Sequence, residues 1–175
     1  VSTLFLYCGS ENLRLAKTSL SLIRRISNSP EFSSNNSIGD NSSYSLVNKN
    51  RLLTMLETVD ETTRIRFAFM DQLENQITSS ESVGLKMELL EFINSNLSTS
   101  SRMGPSVAHF FFGFSTRTMS LGYKEVDGTI LSGKSLFHSI INIIMQCIAT
   151  YDDRSSIDYS AVRLSAIALE IILKL

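Results

Sequence analysis

Ten residues near the middle of the chain, Pro105-Ser-Val-Ala-His-Phe-Phe-Phe-Gly-Phe114, gather four aromatic rings and a histidine into one short apolar segment. Proline is favoured at the first position of a helix and glycine just beyond its end, so Pro105 and Gly113 predict one short helix. Helical patterns precede this segment over residues 85–97 and follow it over residues 136–151. The segment therefore predicts an apolar wedge buried between helices, and nothing in it resembles a reactive centre.

Apolar residues recur at spacings of three and four along most of the chain, which is the pattern of one helix face. Besides the aromatic segment, the pattern predicts helices over residues 10–27, 46–59, 60–77, 85–97, 136–151 and 158–175, about seven in all, with a serine-rich break over residues 79–82. No convincing strand repeat is present. We therefore expect an all-α chain organised as an α-solenoid of HEAT- or armadillo-like antiparallel helix pairs, with a closed helical bundle as the alternative.

The 175 residues are expected to form a single helical segment with two irregular stretches. Residues 27–45 are rich in serine and asparagine, which bury too little apolar surface to offset the entropy lost on ordering, so they predict a disordered insertion. Residues 115–132 predict a long loop between helices, and a short strand pair within it is an alternative. Both ends of the chain are apolar and lack helix caps, which predicts an internal piece of a longer solenoid.

Charge and composition argue against several classes of protein. The chain is 43% hydrophobic and 19% charged, with a formal net charge of -1. Nucleic-acid binders usually present a basic face, and membrane-spanning helices need about 20 consecutive apolar residues. We therefore expect no direct nucleic-acid contact and no membrane insertion. Cys8 and Cys147 lie in apolar helical surroundings and predict buried free thiols in a reducing compartment.

One motif matches a nucleotide-binding pattern literally. Gly128-Thr-Ile-Leu-Ser-Gly133-Lys134-Ser135 has the P-loop spacing, in which backbone amides hold phosphates, lysine reaches the terminal phosphates and serine binds magnesium. A P-loop also needs a buried parallel strand immediately before it, and residues 121–127 carry charges there instead. We interpret Gly128, Gly133, Lys134 and Ser135 as a chance match in a loop that starts a helix, with no cofactor. A P-loop nucleotide-binding protein remains a remote alternative.

The remaining candidate side chains also favour a structural role. His109 and His138 have no Cys, Asp or Glu at ligand spacing, so we expect core or interface histidines and no metal site. No known catalytic signature is present, so we do not expect an enzyme. Four rings within five residues cannot all face one direction, which predicts core packing with a share at a partner interface for Phe110, Phe111, Phe112 and Phe114.

Three segments in succession resemble a known family. They are Leu-Leu-Glu-Phe-Ile-Asn-Ser-Asn-Leu at residues 89–97, the aromatic segment closing in Gly113-Phe114, and Ser-Leu-Phe-His-Ser-Ile-Ile-Asn-Ile-Ile at residues 135–144. This succession is similar to that of the large α-helical scaffold nucleoporins of the nuclear pore inner ring. The resemblance covers residues 63–175 and is weak before them. The family pattern has no Gly-Lys-Ser at residues 133–135, which supports the chance match.

The resemblance implies a non-enzymatic scaffold and adaptor at the nuclear pore complex in the nuclear envelope. Its implied partners are other nucleoporins, both linker and scaffold subunits, including short linear motifs of the linkers, and not a small-molecule substrate. Through them it would support nucleocytoplasmic transport. A helical-repeat adaptor of another transport or trafficking complex is the alternative. The resemblance assigns no binding role to any numbered residue.

Overall fold

Every regular element that the structure describes is a helix. The computed structural model describes residues 1–33, 51–75, 79–100, 106–114, 135–152 and 159–175. The helices there are α1 (Ser2–Tyr7), α2 (Leu13–Ser27), α3 (Pro30–Ser33), α4 (Arg51–Glu57), α5 (Thr62–Glu74), α6 (Ser80–Ser100), α7 (Val107–Phe111), α8 (Leu136–Asp152) and α9 (Tyr159–Lys174). The predicted all-α class is confirmed.

Several predicted helix boundaries differ in the structure. α1 and the single turn α3 were not expected, so the described residues alone hold nine helices instead of about seven. Serines expected to form a break before α6 instead start it, since the Ser82 amide donates to Ser79 Oγ and the Ser79 amide donates to Ser82 Oγ, both at 3.2 Å. The first long helix begins at Leu13, not at residue 10, because the Asn12 side chain accepts the Leu15 amide at 3.2 Å.

The two irregular stretches lie largely outside the described residues. Of the predicted insertion at residues 27–45, only 27–33 are described, and there α2 ends at Ser27 before the turn of α3. The predicted loop at residues 115–132 lies wholly outside, together with its possible strand pair. The helix predicted for residues 46–59 is described from Arg51 onward.

The long helices contact one another in the pattern of a ladder. Helices that follow each other along the chain pack in pairs, α1 with α2, α5 with α6, and α8 with α9. The first helices of the pairs form one row, α1–α5–α8, and the second helices form another, α2–α6–α9. We call these the first row and the second row. α5 and α6 are therefore the central helices, each with a neighbour on both sides.

One continuous apolar core fills the space between the rows. It draws fully buried side chains from both rows, among them Phe5, Leu20, Phe69, Phe92 and Ile171. Apolar residues at spacings of three and four place such side chains on one face of each helix. The short helix α7 packs against α6 and α4 and adds its rings to the same core.

The end of α1 approaches α5 closely at a glycine. A Cβ at Gly9 would lie 2.6 Å from Ala68 Cβ and 2.8 Å from Ala68 Cα, which is closer than atoms can pack. The absence of a side chain at Gly9 therefore sets how near the first two helix pairs can come.

Candidate functional site

The aromatic segment fills the junction between α1, α5 and α6. Phe110, Phe111 and Phe112 are only 1%, 2% and 2% exposed. Phe111 stacks on Phe69 of α5 with ring centroids 4.0 Å apart, and its centroid lies 5.8 Å from that of Phe5 on α1. Such ring pairs add about 0.5–1.5 kcal/mol to the burial of their area. The segment thus links the first helix pair to the second.

Phe114 differs from the other three rings because it is only partly buried. Its ring centroid lies 6.5 Å from that of Phe112 and 6.0 Å from that of His109, at the margin of the core. A partner interface in this segment stays a prediction, and of the four rings Phe114 retains the most accessible surface for it.

Polar contacts hold the carboxyl end of α7. Arg66 Nε on α5 donates to the Phe110 carbonyl at 2.8 Å, and the Arg66 guanidinium carbon lies 4.7 Å from the centroid of the Phe110 ring. Just beyond this end Gly113 adopts a φ of 81°, a left-handed conformation that favours glycine. The Phe114 amide then donates to the His109 carbonyl at 3.1 Å. The predicted helix end at Gly113 is confirmed.

Two helices begin with the same serine–histidine arrangement, which our sequence analysis missed. The Ser106 amide donates to His109 Nδ1 at 3.1 Å at the start of α7. At the start of α8, Ser135 Oγ lies 2.7 Å from His138 Nδ1. Both sequences read Ser-x-x-His, and the serine Oγ lies near the histidine Nδ1 in both, at 3.0 Å in α7 and 2.7 Å in α8. In α7, His109 also takes the place that Glu or Gln has in a capping box. Burial lowers the pKa of His109, which favours the neutral ring that this contact needs.

Only one residue of the P-loop match is described. Gly128, Gly133 and Lys134 lie outside the described residues. Ser135 is 4% exposed, its hydroxyl contacts His138, and its carbonyl accepts the Ser139 amide at 3.1 Å. Ser135 thus immediately precedes α8 and accepts one of its first amides. The chance-match interpretation stays a prediction.

The second row carries polar bridges on its outer side. Glu88, Glu91 and Asn94 lie about one turn apart on α6 and reach cations on both neighbouring helices. The contacts are Lys17–Glu88 at 3.1 Å and Arg24–Glu91 at 3.8 Å toward α2, and Arg163–Glu91 at 2.8 Å and Lys174–Asn94 at 2.6 Å toward α9. Because these groups are partly exposed, each bridge contributes only about 0–1 kcal/mol. Together they cover the outer side of α6 with charge.

Among the residues that the structure describes, the first row is joined by fewer polar contacts than the second. Gln72 Nε2 on α5 donates to the Ser10 carbonyl at 2.7 Å, beyond the end of α1. On the other side of α5, Ser139 Oγ of α8 donates to Glu74 Oε1 at 2.8 Å. These two hydrogen bonds fix the register of α5 against its neighbours.

A buried lysine satisfies the carbonyl end of α5. Lys86 is 4% exposed, and its Nζ donates to the Leu73 carbonyl at 2.7 Å and to the Asn75 carbonyl at 2.5 Å. The last carbonyls of a helix have no intrahelical partner and carry partial negative charge, so an ammonium group suits this position. Burial lowers the pKa of Lys86, and the nearby Glu74 carboxylate opposes that change. This lysine has a structural role.

Both cysteines are free, as predicted. Burial raises the pKa of Cys8 to about 12, and its thiol contacts the Leu4 carbonyl at 3.5 Å. Cys147 is only partly buried, where a buried thiol had been expected. Thiolate is the reactive form, so Cys8 is unsuited to nucleophilic chemistry.

We looked for metal and membrane features in the same described ranges. No three His, Cys, Asp or Glu side chains in these ranges come together as a metal-binding group. Nor does any helix there combine the length and apolar character needed to cross a bilayer.

The chain matches a family of known proteins over its whole length. The family model Nup192, described as nuclear pore complex scaffold, nucleoporins 186/192/205, matches residues 1–175. The match includes residues 1–62, where the resemblance from sequence is weak. A search of curated proteins found no match.

Proposed function

Since this chain belongs to the nuclear pore complex scaffold family of nucleoporins 186/192/205, we propose that it is one segment of an α-solenoid in the inner ring. The family is structural and is a component of the nuclear pore complex. The match over residues 1–175 is the observation that carries the proposal. It also favours a nuclear pore subunit over an adaptor of another trafficking complex.

The ladder of helix contacts supports the solenoid arrangement. In a solenoid each helix pair contacts only its neighbours, and the pairs stack in one direction. α5 and α6 lie between the pair α1–α2 and the pair α8–α9, and each row keeps the same order. A repeated stack of this kind presents long lateral surfaces to other proteins.

An apolar stripe on α9 supports a further stacked helix pair. Val162, Ala166, Leu169 and Leu173 recur at spacings of four, three and four, and all four side chains are exposed, Leu173 at 85%. These spacings place them on one helix face. A stripe without charge is typical of a surface covered by another element. We propose that another helix pair of the scaffold packs on it.

Hydrogen exchange tests this stacking. We expect the amides of α9 to exchange more slowly in the full-length subunit than in residues 1–175 alone, because packing suppresses local opening. Amides of the central helix α6 serve as the internal control and should change little. Equal exchange of α9 in both proteins would contradict the proposed stacking.

We propose that the partners are other nucleoporins, both scaffold subunits and linker subunits that contribute short linear motifs. Such binding would support nucleocytoplasmic transport by holding the ring together. Affinity purification of the tagged full-length subunit, compared with a version lacking residues 1–175, tests this role. We expect lower recovery of at least one neighbouring nucleoporin. Unchanged recovery of all of them, with unchanged localisation at the pore, would refute it.

A further inference from the structure

The exposure of apolar side chains has a different cause on the outermost helices than on the central helices α5 and α6. α9 is the last described helix of the second row, and its leucines are exposed because no described helix packs beyond it. α5 and α6 have neighbours on both sides. An exposed apolar side chain on a central helix must therefore face outward from its row, and stacking another helix pair would not cover it.

The two central helices differ sharply in this respect. The described side chains of α6 include no large exposed apolar residue, and its outer side carries Glu88 and Glu91. α5 instead exposes 44% of Phe67. The outer side of α6 is thus polar and bridged, whereas α5 exposes an aromatic ring at the centre of the first row.

A groove runs along α5 beside this ring. Its described lining consists of Phe67, Ala68, Met70, Asp71 and Glu74, and we call it the α5 groove. Three of these residues are apolar. Asp71 and Glu74 follow Phe67 by four and seven positions, so these two carboxylates and the Phe67 ring lie on one helix face. An apolar floor with acidic groups at one end is a polarised site.

The acidic end of the α5 groove lacks a balancing exposed cation among the described residues. Lys86 near Glu74 is buried and donates to two backbone carbonyls. On the opposite half of α5, Arg66 donates to the Phe110 carbonyl and Arg64 pairs with Glu61 at 2.6 Å. Asp71 is exposed and has no ion-pair partner within the described part of the chain. A partner with a positive charge would complement this end.

We propose that the α5 groove docks a short protein segment in which an apolar side chain lies next to a lysine or arginine. The apolar side chain packs against Phe67 and the partly exposed Ala68, and the cation pairs with Asp71, beside Glu74, whose Oε1 already accepts Ser139 Oγ. The inference rests on the proposed function, in which this chain holds other proteins, and it names the chemistry of one such partner.

A phage-displayed library of random short peptides, selected on residues 1–175, tests the proposal. We expect selected peptides to be enriched in an apolar residue adjacent to Lys or Arg. Phe67→Ala should weaken their binding by about tenfold or more, because an aromatic anchor carries much of such binding. Asp71→Lys should weaken it by about threefold to tenfold and reduce its dependence on salt.

Leu22→Ala provides the matched control. Leu22 is 42% exposed, close to the 44% of Phe67, but it lies on α2 in the second row. Binding should be unchanged in this variant. Circular dichroism of each variant checks folding, and Asp71→Lys keeps the test valid if Phe67→Ala misfolds.

Three results would overturn the proposal: selection of no binding peptide, enrichment of acidic peptides, or peptides that bind both groove variants as tightly as the unchanged chain. If one of these results is obtained and affinity purification of the full-length subunit still recovers neighbouring nucleoporins, the proposed scaffold function stands and only this docking site is refuted.

Discussion

Replacing Phe111 with alanine tests whether the aromatic segment holds the first two helix pairs together. The ring is 2% exposed, stacks on Phe69 at 4.0 Å and approaches Phe5 and Phe110 at 5.8 and 5.3 Å. Truncation of a buried phenylalanine to alanine costs about 3–5 kcal/mol, through lost transfer energy and the cavity left behind. We expect a loss of about 4 kcal/mol, a large part of the roughly 5–15 kcal/mol that stabilises a typical domain.

Urea unfolding of residues 1–175, followed by far-ultraviolet circular dichroism, measures this loss. The control is Phe67→Ala, which removes the same atoms from a ring that is 44% exposed and should cost about 1 kcal/mol or less. The dependence of the free energy of unfolding on urea should be the same in both variants. Equal losses below about 1 kcal/mol in both would refute the reasoning, because the cluster would then contribute no more than a surface ring.

Three further predictions concern single sites. Burial lowers the pKa of His109 from 6.5, so its contribution to the free energy of unfolding should be complete above about pH 6.5 and be lost as the pH falls through the lowered value. In urea unfolding, the free energy of unfolding of His109→Gln should therefore decrease less between about pH 7.5 and about pH 5 than that of the unchanged chain. A thiol reagent should modify Cys147 before Cys8, whose pKa is raised to about 12, and equal rates by mass spectrometry would contradict this. Gly9→Ala should cost about 1–3 kcal/mol in urea unfolding, since its Cβ would lie 2.6 Å from Ala68 Cβ, and adding Ala68→Gly should recover part of that loss.

The sequence predicts the last two long helices well because their apolar spacing is regular. Leu136–Asp152 and Tyr159–Lys174 each lie within one residue of the predicted bounds. The burial of Phe110 and Phe111 also follows from an apolar segment between helices. These features depend on local pattern, which is present in the sequence itself.

Features that depend on contacts between distant residues could not be predicted in the same way. The Arg66 contact to the Phe110 carbonyl spans 44 positions, and no spacing rule connects them. Ser79 and Ser82 suggested a break by composition, yet their mutual hydrogen bonds start a helix. A lysine in a helix is usually exposed, and only the structure shows that Lys86 lies beside the carbonyl end of α5.

The α5 groove shows the same limit for the candidate site. Helical spacing places Phe67 away from the buried stripe of Ile65, Phe69 and Leu73, but spacing alone does not tell whether another element covers that face. Its meaning depends on α5 lying between α1 and α8, which is a property of the contact pattern. The aromatic residues that the sequence emphasised are instead largely internal, Phe112 at 2% exposure.

The uneven placement of ionic bridges should make the ladder respond unequally to salt. The bridges through Glu88 and Glu91 join helices of the second row, and a Debye length of about 8 Å at physiological ionic strength falls to about 3 Å at 1 M. The first row is joined by neutral packing and by short hydrogen bonds, which salt screens little. Added salt should therefore weaken the contacts between helices of the second row more than those between helices of the first row. In the solenoid that we propose, a small difference of this kind would accumulate over the stacked pairs and change their curvature.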